Sequence, residues 1–205
     1  MRRPPAPFGL LLAPGASASR DQPALVAIDD AVSALGLMVE RIDFPYRLAG
    51  RRWPDPPAVL IEAVRTSARS LAARAGGAAD GSDPTAGPDD TTELVLLGGR
   101  SMGGRVCSMA VAEGLPARGL VLVSYPLHPP GRPEKLRSEH FPNLSLPCLF
   151  VSGNRDAFAS PAELEEATSL IPGPVVLSFV DGDHGLKRRD TEVAALVADW
   201  IKSLR

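Results

Sequence analysis

The sequence predicts a doubly wound α/β fold, in which a mostly parallel sheet of about six strands is covered by helices on both faces. Apolar strands alternate with amphipathic helices along the chain, and runs such as LVLL, GLVLVS and CLFVS are apolar throughout. Such runs are typical of parallel strands buried on both faces. Because strand–helix alternation builds βαβ units, the helices must cover that sheet. We therefore expect a single domain over residues 1–205.

The elements follow from the spacing of apolar residues. Strands are predicted at short apolar runs, at residues 8–13, 37–44, 93–97, 119–124, 148–152 and 175–180. Helices are predicted where apolar residues repeat every three to four positions, at residues 22–35, 57–75, 102–113, 161–170 and 191–204. Residues 76–92 are rich in Gly, Ala, Asp and Pro, which predicts a flexible surface loop. Residues 125–146 follow a strand at the edge where α/β sheets bind ligands, so we expect them to border the site.

Composition and charge exclude several classes of partner. The 205 residues carry a net charge of −2 without a basic stripe, so we expect no nucleic acid partner. No apolar run approaches the roughly 18 to 20 residues that span a bilayer, so we expect no membrane partner. The histidines lack metal-ligand spacing, and we expect no metal and no cofactor. Cys107 and Cys148 fall in a predicted helix and strand, which favours two reduced core thiols and a cytoplasmic location.

The N-terminus resembles a secretory signal peptide. Two arginines precede an apolar stretch, and Ala16-Ser17-Ala18 imitates a signal-peptidase site. The stretch at residues 8–13 is short against the roughly 7 to 15 residues of a signal core. We therefore interpret it as the first buried strand, whose following loop has a role in the site.

Glycines crowd around one serine between a predicted strand and a predicted helix. The run GGRSMGGRV nearly matches a phosphate-binding loop, but Arg105 and Val106 occupy the positions of its lysine and hydroxyl residue. The dinucleotide pattern also fails, because Ser101 stands where a glycine is required. The segment does match G-x-S-x-G, and its strand–turn–helix setting predicts a nucleophile elbow at Ser101.

A serine nucleophile needs a base and an acid that orients the base. His184 lies between the last strand and the last helix, and Asp156 follows the preceding strand. Because parallel strands end at one edge, these side chains are expected to meet Ser101. Asp181 and Asp183 are nearer to His184 in sequence but badly placed to turn its ring toward Ser101. For the oxyanion hole, we expect the amides of Met102 and Ala16.

Three further residues are candidates for substrate binding. His128 and Tyr125, after the fourth strand, could line the pocket, or the surrounding prolines could carry such side chains into solvent. Arg100, beside the nucleophile, could face the substrate or pair with an acidic group within the fold. The sequence leaves these alternatives open.

Four runs, GGRSMGGR, SYPLHPPGRPE, GNRDAF and GDHGL, resemble the small, capless, dienelactone-hydrolase-like branch of the α/β-hydrolase superfamily. The resemblance covers nearly the whole chain, and this branch also includes a non-catalytic-looking subunit of a histone-acetyltransferase complex. It implies a minimal six-stranded α/β-hydrolase fold without the family's first two strands, and a triad of Ser101, Asp156 and His184. Dienelactone hydrolases resemble this chain but carry cysteine as the nucleophile, in place of Ser101.

Together, the residues and the resemblance predict a serine hydrolase. It would cleave ester, thioester or similarly activated acyl bonds of a small-molecule substrate through an acyl-enzyme intermediate. The alternative is a non-catalytic binding or scaffold protein that retains the α/β-hydrolase fold.

Overall fold

A six-stranded, fully parallel sheet forms the centre of the protein. The computed structural model describes residues 9–76 and 90–204. The strands are β1 (Gly9–Ala13), β2 (Met38–Arg41), β3 (Val95–Arg100), β4 (Gly119–Val123), β5 (Cys148–Gly153) and β6 (Val175–Val180). Their order across the sheet is β2-β1-β3-β4-β5-β6, and every neighbouring pair is parallel. The predicted doubly wound sheet is therefore confirmed, and β1 is a fully buried strand.

In the described part of the chain, six α-helices connect and cover the strands. They are α1 (Pro23–Ser33), α2 (Pro45–Leu48), α3 (Pro57–Gly76), α4 (Met102–Ala112), α5 (Pro161–Thr168) and α6 (Asp190–Ser203). Proline begins four of them, at the position where its missing amide hydrogen costs no hydrogen bond. At α5, Ser160 and Glu163 add a capping box that satisfies exposed amides. Among the residues that the structure describes, no helix is long and apolar enough to cross a membrane.

Each face of the sheet has its own apolar cluster. On one face, α1 and α6 cover the strands with Leu25, Ile28, Val197 and other buried residues. On the opposite face, α3, α4 and α5 pack through residues such as Val64 and Leu164. The helices cover the two faces of the sheet but not the ends of its strands. In such folds, the loops at the carboxyl ends of the strands form the ligand site.

The structure differs from the predicted elements in three places. Strand β2 is shorter than the predicted 37–44, and α2 was not predicted because a four-residue helix has too little periodicity to detect. Strand β3 continues to Arg100, past the predicted end at 97, through two glycines that disfavour strands in general. Of the predicted loop 76–92, Gly76 ends α3 and a short 3₁₀ helix occupies Asp90–Leu94. Residues 77–89 lie outside the described residues.

Both cysteines are buried and free. Cys107 lies on α4 and Cys148 on β5, as predicted, and burial raises the pKa of each thiol to about 12. Both thiols therefore stay protonated near neutral pH and behave as small apolar side chains.

Candidate active site

Ser101 occupies a strained turn between β3 and α4. Its backbone has φ 52° and ψ −118°, a region that side-chain-bearing residues rarely adopt. The Ser101 amide donates to the Val123 carbonyl at 2.8 Å, which ties the turn to the end of β4. The turn leaves the side chain half-buried at the carboxyl-end edge of the sheet.

The glycines around Ser101 are required by close backbone packing. A Cβ on Gly99 or on Gly103 would overlap the carbonyl oxygen of Ala13 in β1. A Cβ on Gly104 would lie 2.8 Å from the Gly99 carbonyl oxygen. Small residues therefore allow α4 to start directly against β1 and β3, and this contact explains the glycines without any phosphate.

The structure brings Ser101, His184 and Asp156 into one hydrogen-bonded chain. The His184 Nε2 lies 2.9 Å from the Ser101 Oγ. The His184 Nδ1 lies 2.8 Å from Oδ2 and 3.0 Å from Oδ1 of Asp156. Asp156 follows β5 and His184 follows β6, so the strand ends assemble residues that are 28 and 83 positions apart in sequence.

The two acids that lie closer to His184 in sequence have other partners. Asp181 pairs with Arg155 and Arg189. Asp183 accepts a hydrogen bond from the Gly185 amide at 2.8 Å and so shapes its own loop. Within the described part of the chain, neither carboxylate forms a hydrogen bond with the His184 ring, whose Nδ1 lies beside Asp156.

Sequence reasoning missed the residues that hold this chain in place. The Phe158 amide donates to Asp156 Oδ1 at 2.8 Å, and the Phe158 ring centroid lies 4.1 Å from that of His184. The Asp156 side chain is fully buried, whereas that of His184 remains 21% exposed. Phe158 carries no polar group and follows no periodic pattern, so nothing in the sequence marked it.

Arg100 supports the same histidine from another side. One guanidinium nitrogen donates to the His184 backbone carbonyl at 2.6 Å. Burial lowers the pKa of Arg100, and the negative charges of Asp156, Asp190 and Asp183 oppose this shift. From the sequence, the substrate and an acidic group were the two candidate partners of Arg100. In the structure, its guanidinium group is hydrogen-bonded to the His184 backbone carbonyl.

Met102 and Ala16 lie on the two elements expected to supply oxyanion donors. Met102 is the first residue of α4, and Ala16 lies in the loop after β1. Neither amide has an acceptor among the residues that the structure describes. The neighbouring Gly15 amide donates to Gln22 Oε1 at 3.3 Å, and the Tyr46 hydroxyl donates to the Ala16 carbonyl. These contacts fix the backbone on both sides of the Ala16 amide.

Of the two alternatives for Tyr125 and His128, the structure excludes the one that carries their side chains into solvent, because both are buried. Tyr125 is fully buried, and its hydroxyl donates to the Arg137 carbonyl at 2.8 Å. His128 is 5% exposed, with Nδ1 2.9 Å from the Pro129 carbonyl and Nε2 3.4 Å from Glu163. The His128 amide also donates to the Phe158 carbonyl, so this segment supports the site from behind.

The later part of the 125–146 segment packs along α4 through a buried polar contact. Ser108, fully buried on α4, has its Oγ 2.8 Å from the His140 Nε2. Burial, and then the nearby Arg105, lower the pKa of His140 to about 4. His140 is therefore neutral near pH 7 in the folded protein.

This lowered pKa predicts that His140 makes stability fall in mild acid. As the pH drops, His140 of the unfolded chain takes up a proton near its ordinary value of about 6.5. The folded protein binds that proton only near pH 4, so unfolding is favoured progressively between these values. In urea unfolding, a His140→Gln variant should lose less stability between pH 7 and pH 4.5 than the native protein. Equal losses in the two proteins would contradict this assignment.

Comparison with known families decides the relationship. A family described as an alpha/beta hydrolase domain matches residues 7–203. The chain belongs to this family. A relative in sequence, a pimeloyl-[acyl-carrier protein] methyl ester esterase from Stenotrophomonas maltophilia, is 35% identical over 65 residues. That match spans 31% of this chain and 25% of the esterase.

Solved structures share the α/β hydrolase fold over nearly the whole chain. A serine hydrolase homologue from Coxiella burnetii has a TM-score of 0.72 at 16% identity, covering 94% of this chain and 84% of its own. A dienelactone hydrolase from Anabaena variabilis has a TM-score of 0.70 at 22% identity, covering 97% and 87%. At these identities the likeness concerns the fold, and it supports the resemblance drawn from the sequence runs.

Proposed function

We propose that this α/β hydrolase is a serine hydrolase that cleaves ester or thioester bonds of small substrates through an acyl-enzyme. The observation that carries the proposal is the hydrogen-bonded chain from Ser101 Oγ through both nitrogens of His184 to Asp156. A neutral imidazole in this arrangement can accept the serine proton while the carboxylate stabilises the imidazolium that forms.

In the first half of the reaction, Ser101 Oγ attacks the carbonyl carbon and its proton passes to His184 Nε2. The carbonyl oxygen becomes an oxyanion, which the amides of Met102 and Ala16 stabilise by hydrogen bonds. When the tetrahedral intermediate collapses, the bond to the leaving group breaks. His184 donates its proton to the departing alkoxide or thiolate, and the acyl group remains on Ser101.

In the second half, water replaces the leaving group. His184 takes a proton from the water as it attacks the acyl carbon, and then returns a proton to Ser101 Oγ as the carboxylic acid departs. The 21% exposure of the His184 side chain leaves the base within reach of solvent. The esterase from Stenotrophomonas maltophilia supports an ester as the type of bond, over the short stretch that it shares.

The proposal is tested by following p-nitrophenyl acetate hydrolysis in the pre-steady state. We expect a burst of p-nitrophenol of about one equivalent per chain, because acylation of serine precedes a slower deacylation. Mass spectrometry of the quenched protein should find one acetyl group on the peptide that contains Ser101. The Ser101→Ala variant should show neither signal.

An acetyl group on another residue, or a folded protein that neither bursts nor turns over any short-chain ester, would refute the proposal. The second result would leave the alternative of a binding or scaffold protein with the α/β-hydrolase fold.

A further inference from the structure

A basic cavity adjoins three of the loops that carry the candidate site, those after β1, β3 and β6. Its volume is about 360 Å³, and its walls include Arg100, Gly185 and Gln22. Arg100 precedes Ser101, and Gly185 follows His184. The Gln22 side chain accepts a hydrogen bond from the amide of Gly15, the residue before Ala16. The cavity therefore lies beside residues that adjoin Ser101 and His184, and we expect one group of a substrate bound at Ser101 Oγ to extend toward it.

The cavity wall carries more positive than negative charge. Arg100, Lys187 and Arg188 line it together with one acidic residue, Asp190. The side chains of Lys187 and Arg188 are exposed and form no hydrogen bond or ion pair within residues 9–76 and 90–204. Arg189, next along the chain, pairs with Asp181 and Glu192 instead. Of the three consecutive cations in this loop, Lys187 and Arg188 are therefore unpaired, whereas Arg189 is neutralised by acidic partners.

The loop holds these cations in an unusual backbone conformation. Leu186 and Arg188 have φ values of 47° and 63°, which favour glycine or asparagine over either residue. Leu186 is 1% exposed and anchors the loop in the core, which leaves Lys187 and Arg188 at the cavity. Ala24, in the first turn of α1, also lines the cavity, and its amide has no acceptor among the described residues.

We infer that this cavity binds a phosphate monoester group on the substrate, close to the bond that is cleaved. The inference rests on the proposed function and names its substrate class. Lys187 and Arg188 are the unpaired cations of the cavity wall, and two positive charges match a phosphate monoester with a charge near −2 at pH 7. A carboxylate, with a single negative charge, would match only one of these two cations. Unpaired guanidinium, ammonium and helix-start amide donors are the groups that bind phosphate oxygens in proteins.

The inference is tested with three acetate esters of similar size: 2-acetoxyethyl phosphate, 3-acetoxypropanoate and the neutral 2-methoxyethyl acetate. We expect kcat/KM for the phosphate ester to exceed that for the neutral ester by about tenfold or more, as one lost charged hydrogen bond alone costs roughly this factor. The ratio should fall in Lys187→Gln and Arg188→Gln and be lost in the double variant. Arg47→Gln, which removes an exposed arginine outside the cavity, should keep the native ratio.

Three results would overturn the inference while leaving the proposed function intact. These are equal kcat/KM values for the phosphate and neutral esters, a phosphate preference that survives the double variant, and a carboxylate ester cleaved as well as the phosphate ester. If no ester is cleaved, the proposed function fails. Calorimetric titration with ethyl phosphate then measures whether the cavity binds a phosphate monoester. Binding that the double variant abolishes would support the inference, and absence of binding would refute it.

Discussion

Replacing Asp156 with asparagine is expected to lower kcat for ester hydrolysis by about 10⁴-fold while the fold stays intact. Asparagine has nearly the same shape, and its oxygen can still accept from the Phe158 amide. Its NH₂ group, however, would donate to His184 Nδ1, where the carboxylate now accepts. The histidine proton would then sit on Nε2, facing Ser101 Oγ, and the ring could not take up the serine proton.

Asp183→Asn provides the matched control, because Asp183 is one residue from His184 but bonds the Gly185 amide, which an asparagine oxygen can also accept. Its kcat should stay within about tenfold of the native value, and circular dichroism should show both variants folded. The account fails if Asp156→Asn keeps a tenth of the native activity, or if both substitutions cost the same.

Gly103→Ala is expected to destabilise the protein by about 3 kcal/mol or more. The new Cβ would overlap the Ala13 carbonyl, and the Pro14 carbonyl also lies close. No side-chain rotation can relieve contacts with backbone atoms, so α4 would have to move away from β1. Since α4 and the loop after β1 carry Met102 and Ala16, the same movement should lower kcat. Urea unfolding measures the loss of stability.

Gly36→Ala separates this packing effect from the general cost of replacing a glycine. Gly36 has φ +84° and no atom within 4 Å of a built Cβ, so only its backbone strain applies. That strain costs on the order of 1 to 2 kcal/mol. If Gly103→Ala proves no more destabilising than Gly36→Ala, close packing does not explain the glycines around Ser101.

The fold could be predicted from the sequence because its signals are local and repeated. Each strand is a short apolar run, each long helix has a periodic apolar face, and parallel connection follows from their alternation. The sequence predicts that β3 ends at residue 97, before Gly98 and Gly99, because paired glycines are typical of a turn. Contact with the backbones of Ala13 and Val121 demands glycine there, and no local pattern records that contact.

The candidate site was predicted as far as it depends on chain order and strand ends. Ser101, Asp156 and His184 follow β3, β5 and β6, and because all strands of the sheet are parallel, their carboxyl ends lie at one edge, where the topology brings the three residues together. The directions of the side chains after β4 depend instead on packing. Tyr125 and His128 lie in a proline-rich stretch without periodicity, where sequence cannot show which side chains face the core. The contacts of Arg100 and Phe158 with His184 are equally non-local.

Labelling with a fluorophosphonate probe tests most directly whether Ser101 is an activated nucleophile. The probe reacts covalently with serines that a base activates, so it needs no knowledge of the natural substrate. We expect the native protein to label on Ser101, with labelling abolished in Ser101→Ala and strongly slowed in His184→Ala. A folded native protein that stays unlabelled, or a Ser101→Ala variant that labels as well as the native protein, would contradict the account.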